Sequence, residues 1–154
     1  MAYLQVKDIL VHAEKLREFL RDFTRRHELK ANNDLLAGLF QEVSQHEQQF
    51  KECLDEYRKD TSAELLQTWI QFDGVEDLEE AMDALSAADE QDTQSLLGQL
   101  LAAEEALQRV YELVQEQTSA TKLEELFGEL QQIQDHHLRN IADCVSEYGQ
   151  MHRD

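Results

Sequence analysis

Proline is absent from the 154 residues, and glycine occurs only five times. Long stretches therefore lack the residues that most often interrupt a helix. No apolar run reaches the roughly 18 residues that would read as a membrane span. The start, Met1-Ala2-Tyr3-Leu4, has no charged segment followed by an apolar one, so a cytoplasmic location is the expectation. Basic residues are scarce, 14 against 33 acidic, for a net charge of −19. Nucleic acid would be repelled, and no basic patch offsets this. The acidity itself reads as solvated helix faces. Two cysteines, Cys53 and Cys144, do not form a disulfide framework and read as small core residues.

What is abundant is Leu, Glu, Gln and Ala, a helix-forming mixture. The length suits a single domain over 1–154, large enough to bury a core without disulfides. Apolar residues recur at helical spacing in four long segments. The first, from about Tyr3 to His27, carries Val6, Ile9, Leu10, Ala13, Leu16, Leu20 and Phe23. The second, from about Asn33 to Lys59, carries Leu36, Leu39, Val43, Phe50 and Leu54. Asp92 to Gln117 holds the third, with Leu97, Leu100, Ala103, Leu107 and Val110. The fourth begins near Ser119, reaches Met151, and carries Leu126, Phe127, Leu130, Ile133 and Ile141.

Ala31-Asn32-Asn33-Asp34 reads as a turn with an N-cap, and the second connection is equally short. The segments therefore pair as antiparallel hairpins over 3–59 and 92–151. Residues 60–91 form a connector too long to be structureless. Within it, Ala63 to Ile70 and Val75 to Ala88 look amphipathic, which predicts two short helices, with Trp69 packed over the core.

Shifting the chain by 91 residues superposes both hairpins in one register. His46 falls on His137, Cys53 on Cys144, Tyr57 on Tyr148 and Glu14 on Glu105. His46 and His137 each sit mid-stripe, with Gln134 one turn before His137. Glu104 lies at the edge of the third stripe, and Glu42 and His12 flank theirs. Buried carboxylate and imidazole need a common solution. A divalent metal is one, since both are natural ligands. A closed network of protonated His, Glu and a Tyr hydroxyl is the other. His136 reads as solvated, and His27 and His152 as helix-end or chain-end contacts.

Two hairpins, a long crossover, central histidines in helices 2 and 4, and Leu100-Leu101-Ala102-Ala103-Glu104 followed by Tyr111 resemble the ferritin-like superfamily, rubrerythrin type. The resemblance spans nearly the whole chain. It implies an all-α, ferritin-like four-helix bundle of two pseudo-repeated hairpins. It also implies a di-metal site with one Glu from each of two helices and a Glu-x-x-His pair from each of the others. Here the set is incomplete. Glu104 matches one carboxylate, but its partner position is Ala13, and the pairs read Val43-x-x-His46 and Gln134-x-x-His137. Glu14 and Glu42 are one residue off, a rotation of about 100°.

A two-metal oxidase is therefore disfavoured. One divalent ion (Fe, Zn or Mn) on His46, His137 and Glu104, with Gln134 and Glu42 nearby, is the leading expectation. The alternative is a non-enzymatic bundle that has lost its metal and acts through its surface or as a homodimer. An oxidoreductase using Glu42, His12 or Glu14 is a third reading. If the hairpins are arranged as in the family, helices 2 and 4 are antiparallel. Cys53 and Cys144 then point to opposite ends, with no disulfide between them.

Overall fold

A computed structural model describes residues 2–88 and 92–151. His152 and the last three residues of the expected crossover lie outside this set. The chain is mostly helical. Helices α1 (Val6–Lys30), α2 (Asp34–Asp60), α3 (Ala63–Leu66) and α4 (Val75–Ala88) are followed by α5 (Thr93–Gln117) and α6 (Thr121–Met151). Two short strands, β1 (Tyr3–Gln5) and β2 (Trp69–Gln71), complete the described elements.

The helix starts follow from local chemistry. Asn33 accepts from the backbone N–H groups of Leu35 and Leu36, satisfying donors that the first turn of α2 would otherwise orphan. The Asp92 carboxylate does the same for Ser95 at the start of α5. Helix α1 has no side-chain cap. Its first N–H, of Val6, donates instead to the Thr68 carbonyl beside β2. The ribbon thereby serves as the cap of α1.

That ribbon corrects two expectations. Tyr3–Gln5 is extended rather than the first turn of α1, and pairs antiparallel with Trp69–Gln71. The predicted helix over Ala63–Ile70 stops at Leu66. Strand alternation turns Ile70 inward and leaves Trp69 63% exposed, so the expected packing of Trp69 over the core does not occur. Phe72, one alternation further, is fully buried. A Cβ at Gly74 would lie 2.7 Å from the Phe72 ring, so glycine lets the chain turn closely around that side chain. Helix α4 then runs where the crossover pattern places it, packed on α5 and α1.

The four long helices pair α1 with α2 and α5 with α6. Partners along each pair run in opposite directions: Arg17 meets Glu47 while Glu14 meets Arg58. Helices α2 and α6 are also antiparallel, since His46 stacks on His137 and the Tyr57 hydroxyl donates to Glu129. The apolar stripes face one continuous core that includes Leu10, Leu39, Phe50, Leu100, Val110 and Leu130. Ile133, expected in the fourth stripe, is 41% exposed. Cys53 and Cys144 are half-buried free thiols. Among the described residues, no helix is long and apolar enough to cross a membrane.

Candidate functional site

The middle of this core is polar. Arg17 of α1 is fully buried, and so are Glu47 of α2, Glu104 of α5 and Gln134 of α6. His137, on α6, is nearly so. Each sits on the apolar stripe of its helix. Arg17 follows Ala13 by four and precedes Leu20 by three; Glu47 stands in the same relation to Val43 and Phe50. Helical periodicity thus delivers five polar side chains to one depth.

Arg17 is the hub. One guanidinium nitrogen, Nη1, lies 2.8 Å from Glu47 Oε2 and 3.5 Å from Glu104 Oε2. The other, Nη2, donates to the Tyr111 hydroxyl at 3.1 Å and to Gln134 Oε1 at 2.5 Å. The guanidinium plane also lies over the Phe50 ring, 3.8 Å from its centroid, and Phe50 in turn stacks on Tyr111. The Gln134 amide completes the circuit, donating to the Glu104 carbonyl at 2.8 Å and to Glu104 Oε2 at 2.9 Å.

His137 closes the other side. Its Nε2 lies 3.1 Å from Glu47 Oε1 and 3.3 Å from Glu104 Oε2. Burial alone would lower the pKa of this ring, but Glu104 above all, then Glu47, raises it to about 9. At neutral pH it is an imidazolium, hydrogen-bonded to Glu47 and ion-paired with Glu104. Burial would raise Glu104, but His137, a hydrogen bond with Glu47 and Arg17 together hold it below the usual carboxylate range. Glu47 goes the other way. Burial, reinforced by the neighbouring Glu104 charge, lifts it to about 7 against the pull of Arg17. Two cations face two carboxylates, so the cluster is neutral when both acids are ionised.

His46 has a different place from the one expected. It is half-buried, one position off the centre of its stripe, and Glu47 takes the central place. Its ring stacks on His137 with centroids 3.6 Å apart and planes 16° apart. Burial, then the His137 and Arg17 charges, lowers its pKa to about 3, so it is a neutral ring. Its Nε2 is buried without a hydrogen-bond partner, as are Glu104 Oε1 and Arg17 Nε.

The expected metal ligands therefore separate. Glu104, His137 and Gln134 converge, with Gln134 already committed to Arg17 and Glu104. Glu42 is exposed on α2 and does not join the group. Glu14 is held by Arg58 at 3.3 Å, and His12 is half-buried on α1. Glu47 and Arg17 are the two members that sequence reasoning missed. Glu47, Glu104 and His137 could hold a metal ion, since one donor atom from each lies within 4.8 Å of the others. The same carboxylates are ion-paired with Arg17.

The chain matches no family model, no curated protein and no solved structure.

Proposed function

We propose that this chain is a non-enzymatic, ferritin-like bundle in which the Arg17 guanidinium takes the role of a core metal ion, and that it acts through its surface. The observation that carries this reading is the placement of Arg17 between Glu47 and Glu104, at 2.8 and 3.5 Å. An Arg fork is always charged and matches carboxylates in geometry. It needs no cofactor to neutralise the buried acids. A divalent ion about 4 Å from that guanidinium would meet repulsion on the order of 8 kcal/mol at an effective dielectric of about 20. His137, held as an imidazolium, offers no lone pair to a metal until it loses its proton.

A second reading has a specific observation in its favour. Glu104 Oε1 and His46 Nε2 have no partners, beside three donors that already converge. A single Fe, Zn or Mn ion on Glu47, Glu104 and His137 would use that capacity if Arg17 withdrew. Elemental analysis of untagged protein, with thermal unfolding before and after chelation, separates the two. The first reading expects substoichiometric metal and an unchanged midpoint. One tightly held ion per chain, with a lower midpoint after its removal, would establish the second.

A further inference from the structure

The β1–β2 ribbon lies at the start of α1, roughly 16 Å along that helix from Arg17. Its inward face is Leu4 and Ile70, and Ile70 is buried. Its outward face is Tyr3, Gln5, Trp69 and Gln71, because directly opposed residues of an antiparallel pair share a face. Tyr3 is opposite Gln71 and Trp69 opposite Gln5, so the two aromatic rings are diagonal neighbours. At that spacing, about 7–8 Å, long side chains still reach each other or grip a flat group between them.

Both rings are exposed, Tyr3 at 57% and Trp69 at 63%. Trp69 is the only tryptophan of the chain. Trp and Tyr are among the residues most enriched in the hot spots of protein interfaces. The segments that flank the ribbon are acidic. Asp8 follows β1, Glu64 precedes β2, and Asp73 and Glu76 follow it, with Lys7 as the one opposing charge in those flanks.

We propose that the outward face of this ribbon docks a basic protein segment, with Tyr3 and Trp69 flanking an arginine of the partner. Aromatic faces attract a guanidinium, Trp most strongly. The carboxylates of the flanking segments supply the long-range attraction. A net charge of −19 repels nucleic acid, anionic membranes and a second copy of the same chain, which leaves a cationic protein as the occupant that the charge favours. This inference deepens the reading that the chain acts through its surface.

The full chain is titrated with a short synthetic peptide of alternating arginine and valine, and with an analogue carrying glutamate for arginine. The emission of Trp69 is followed as the ring leaves water. A saturable blue shift with the arginine peptide alone, weakening as salt rises, is the expected result. Labelled-peptide anisotropy then compares the native chain with a Tyr3→Gln, Trp69→Gln double variant whose helicity is checked by circular dichroism. A loss of about tenfold or more in affinity is expected from the double variant. Equal affinity would show that the peptide coats the acidic surface elsewhere, and binding without an emission change would show the same; either overturns the ribbon as the dock. Absence of binding overturns it too. Stoichiometric metal in the same preparation would overturn the surface reading instead, without altering the titration.

Discussion

Shifted by 91 residues, the two hairpins place unlike residues at most polar positions of the central cluster. Glu104 of the second falls on Ala13 of the first, Tyr111 on Leu20, and Gln134 on Val43. Glu47 of the first falls on Leu138 of the second, and Arg17 on Gln108. Within this cluster the stacked pair, His46 and His137, is common to both. Even that pair is split, for one ring is a buried imidazolium between carboxylates and the other a neutral ring at the edge. Opposite Glu47 and Glu104, the two carboxylates of the cluster, the other half supplies an apolar side chain. The two halves thus share an apolar frame, α1 with α5 and α2 with α6, and divide a single ion network between them. Its two carboxylates are balanced by one arginine and one histidine.

The sharpest way to break this comparison is to remove its unique cation. Arg17→Met leaves Glu47 and Glu104 buried without their shared counter-charge, and should cost about 3–5 kcal/mol in urea unfolding. Adding Glu47→Leu and Glu104→Ala, the residues of the opposite half, should restore native stability or exceed it by about 1–4 kcal/mol. Failure of this rescue would mean that the network does more than cancel its own charges.

A smaller effect, of a few kcal/mol, is expected from pH. His137 is raised from 6.5 to about 9, so its contribution is complete below pH 6.5 and disappears as pH rises through 9. Glu104 is depressed, so its contribution is present above its ordinary 4.5 and disappears as pH falls below that. His46, lowered to about 3, acts in the same direction. The unfolded ring gains a proton that the stacked ring refuses, and stability falls as pH drops from 6.5 toward 3. Glu47, raised to about 7, favours the protonated folded form, and subtracts stability as pH rises from 4.5 through 7. The expected profile is a dome with a weakly acidic maximum. His137→Asn should flatten its alkaline limb between pH 6.5 and 9, while His46→Asn should soften the acid limb. A limb that persists in His137→Asn would place the titrating group elsewhere.

The smallest expected change is Tyr111→Phe. It removes one hydrogen bond to Arg17 and keeps the ring stacked on Phe50, so about 1 kcal/mol should be lost. A much larger loss would show that the hydroxyl orders the whole guanidinium.

The four long helices and α4 were legible because their stripes are long and their breakers few, although α1 runs from Val6 to Lys30 rather than from Tyr3 to His27. The turn and N-cap at Ala31-Asn32-Asn33-Asp34 were legible too, and Asn33 is the residue that caps. The ribbon was not legible. Three residues of alternation at Trp69–Gln71 are too few to compete with the helical pattern of Ala63–Leu66 just before them. In the site, the repeat pointed to His137 and its neighbour Gln134, and the edge of the third stripe gave Glu104. It misplaced the centre of α2, because register with His137 drew attention to His46. A step of one residue turns a helical side chain by about 100°. That step is what brings Glu47 inward and moves His46 aside. Arg17 and Glu47 both stand at apolar spacing, between Ala13 and Leu20 and between Val43 and Phe50. A charge at such a position belongs to the core only if an opposite charge meets it there. The pairing joins α1 to α2 across 30 residues and could not be read from either stripe alone.

The central claim, that a guanidinium stands where a metal would otherwise be needed, is tested most directly by titrating zinc(II) into the untagged native chain and following thermal unfolding and heat of binding together. The account predicts no stoichiometric binding and no rise in the midpoint, since Arg17 already neutralises Glu47 and Glu104. A one-to-one complex that raises the midpoint in the native chain, and is lost in Glu104→Ala, would contradict it.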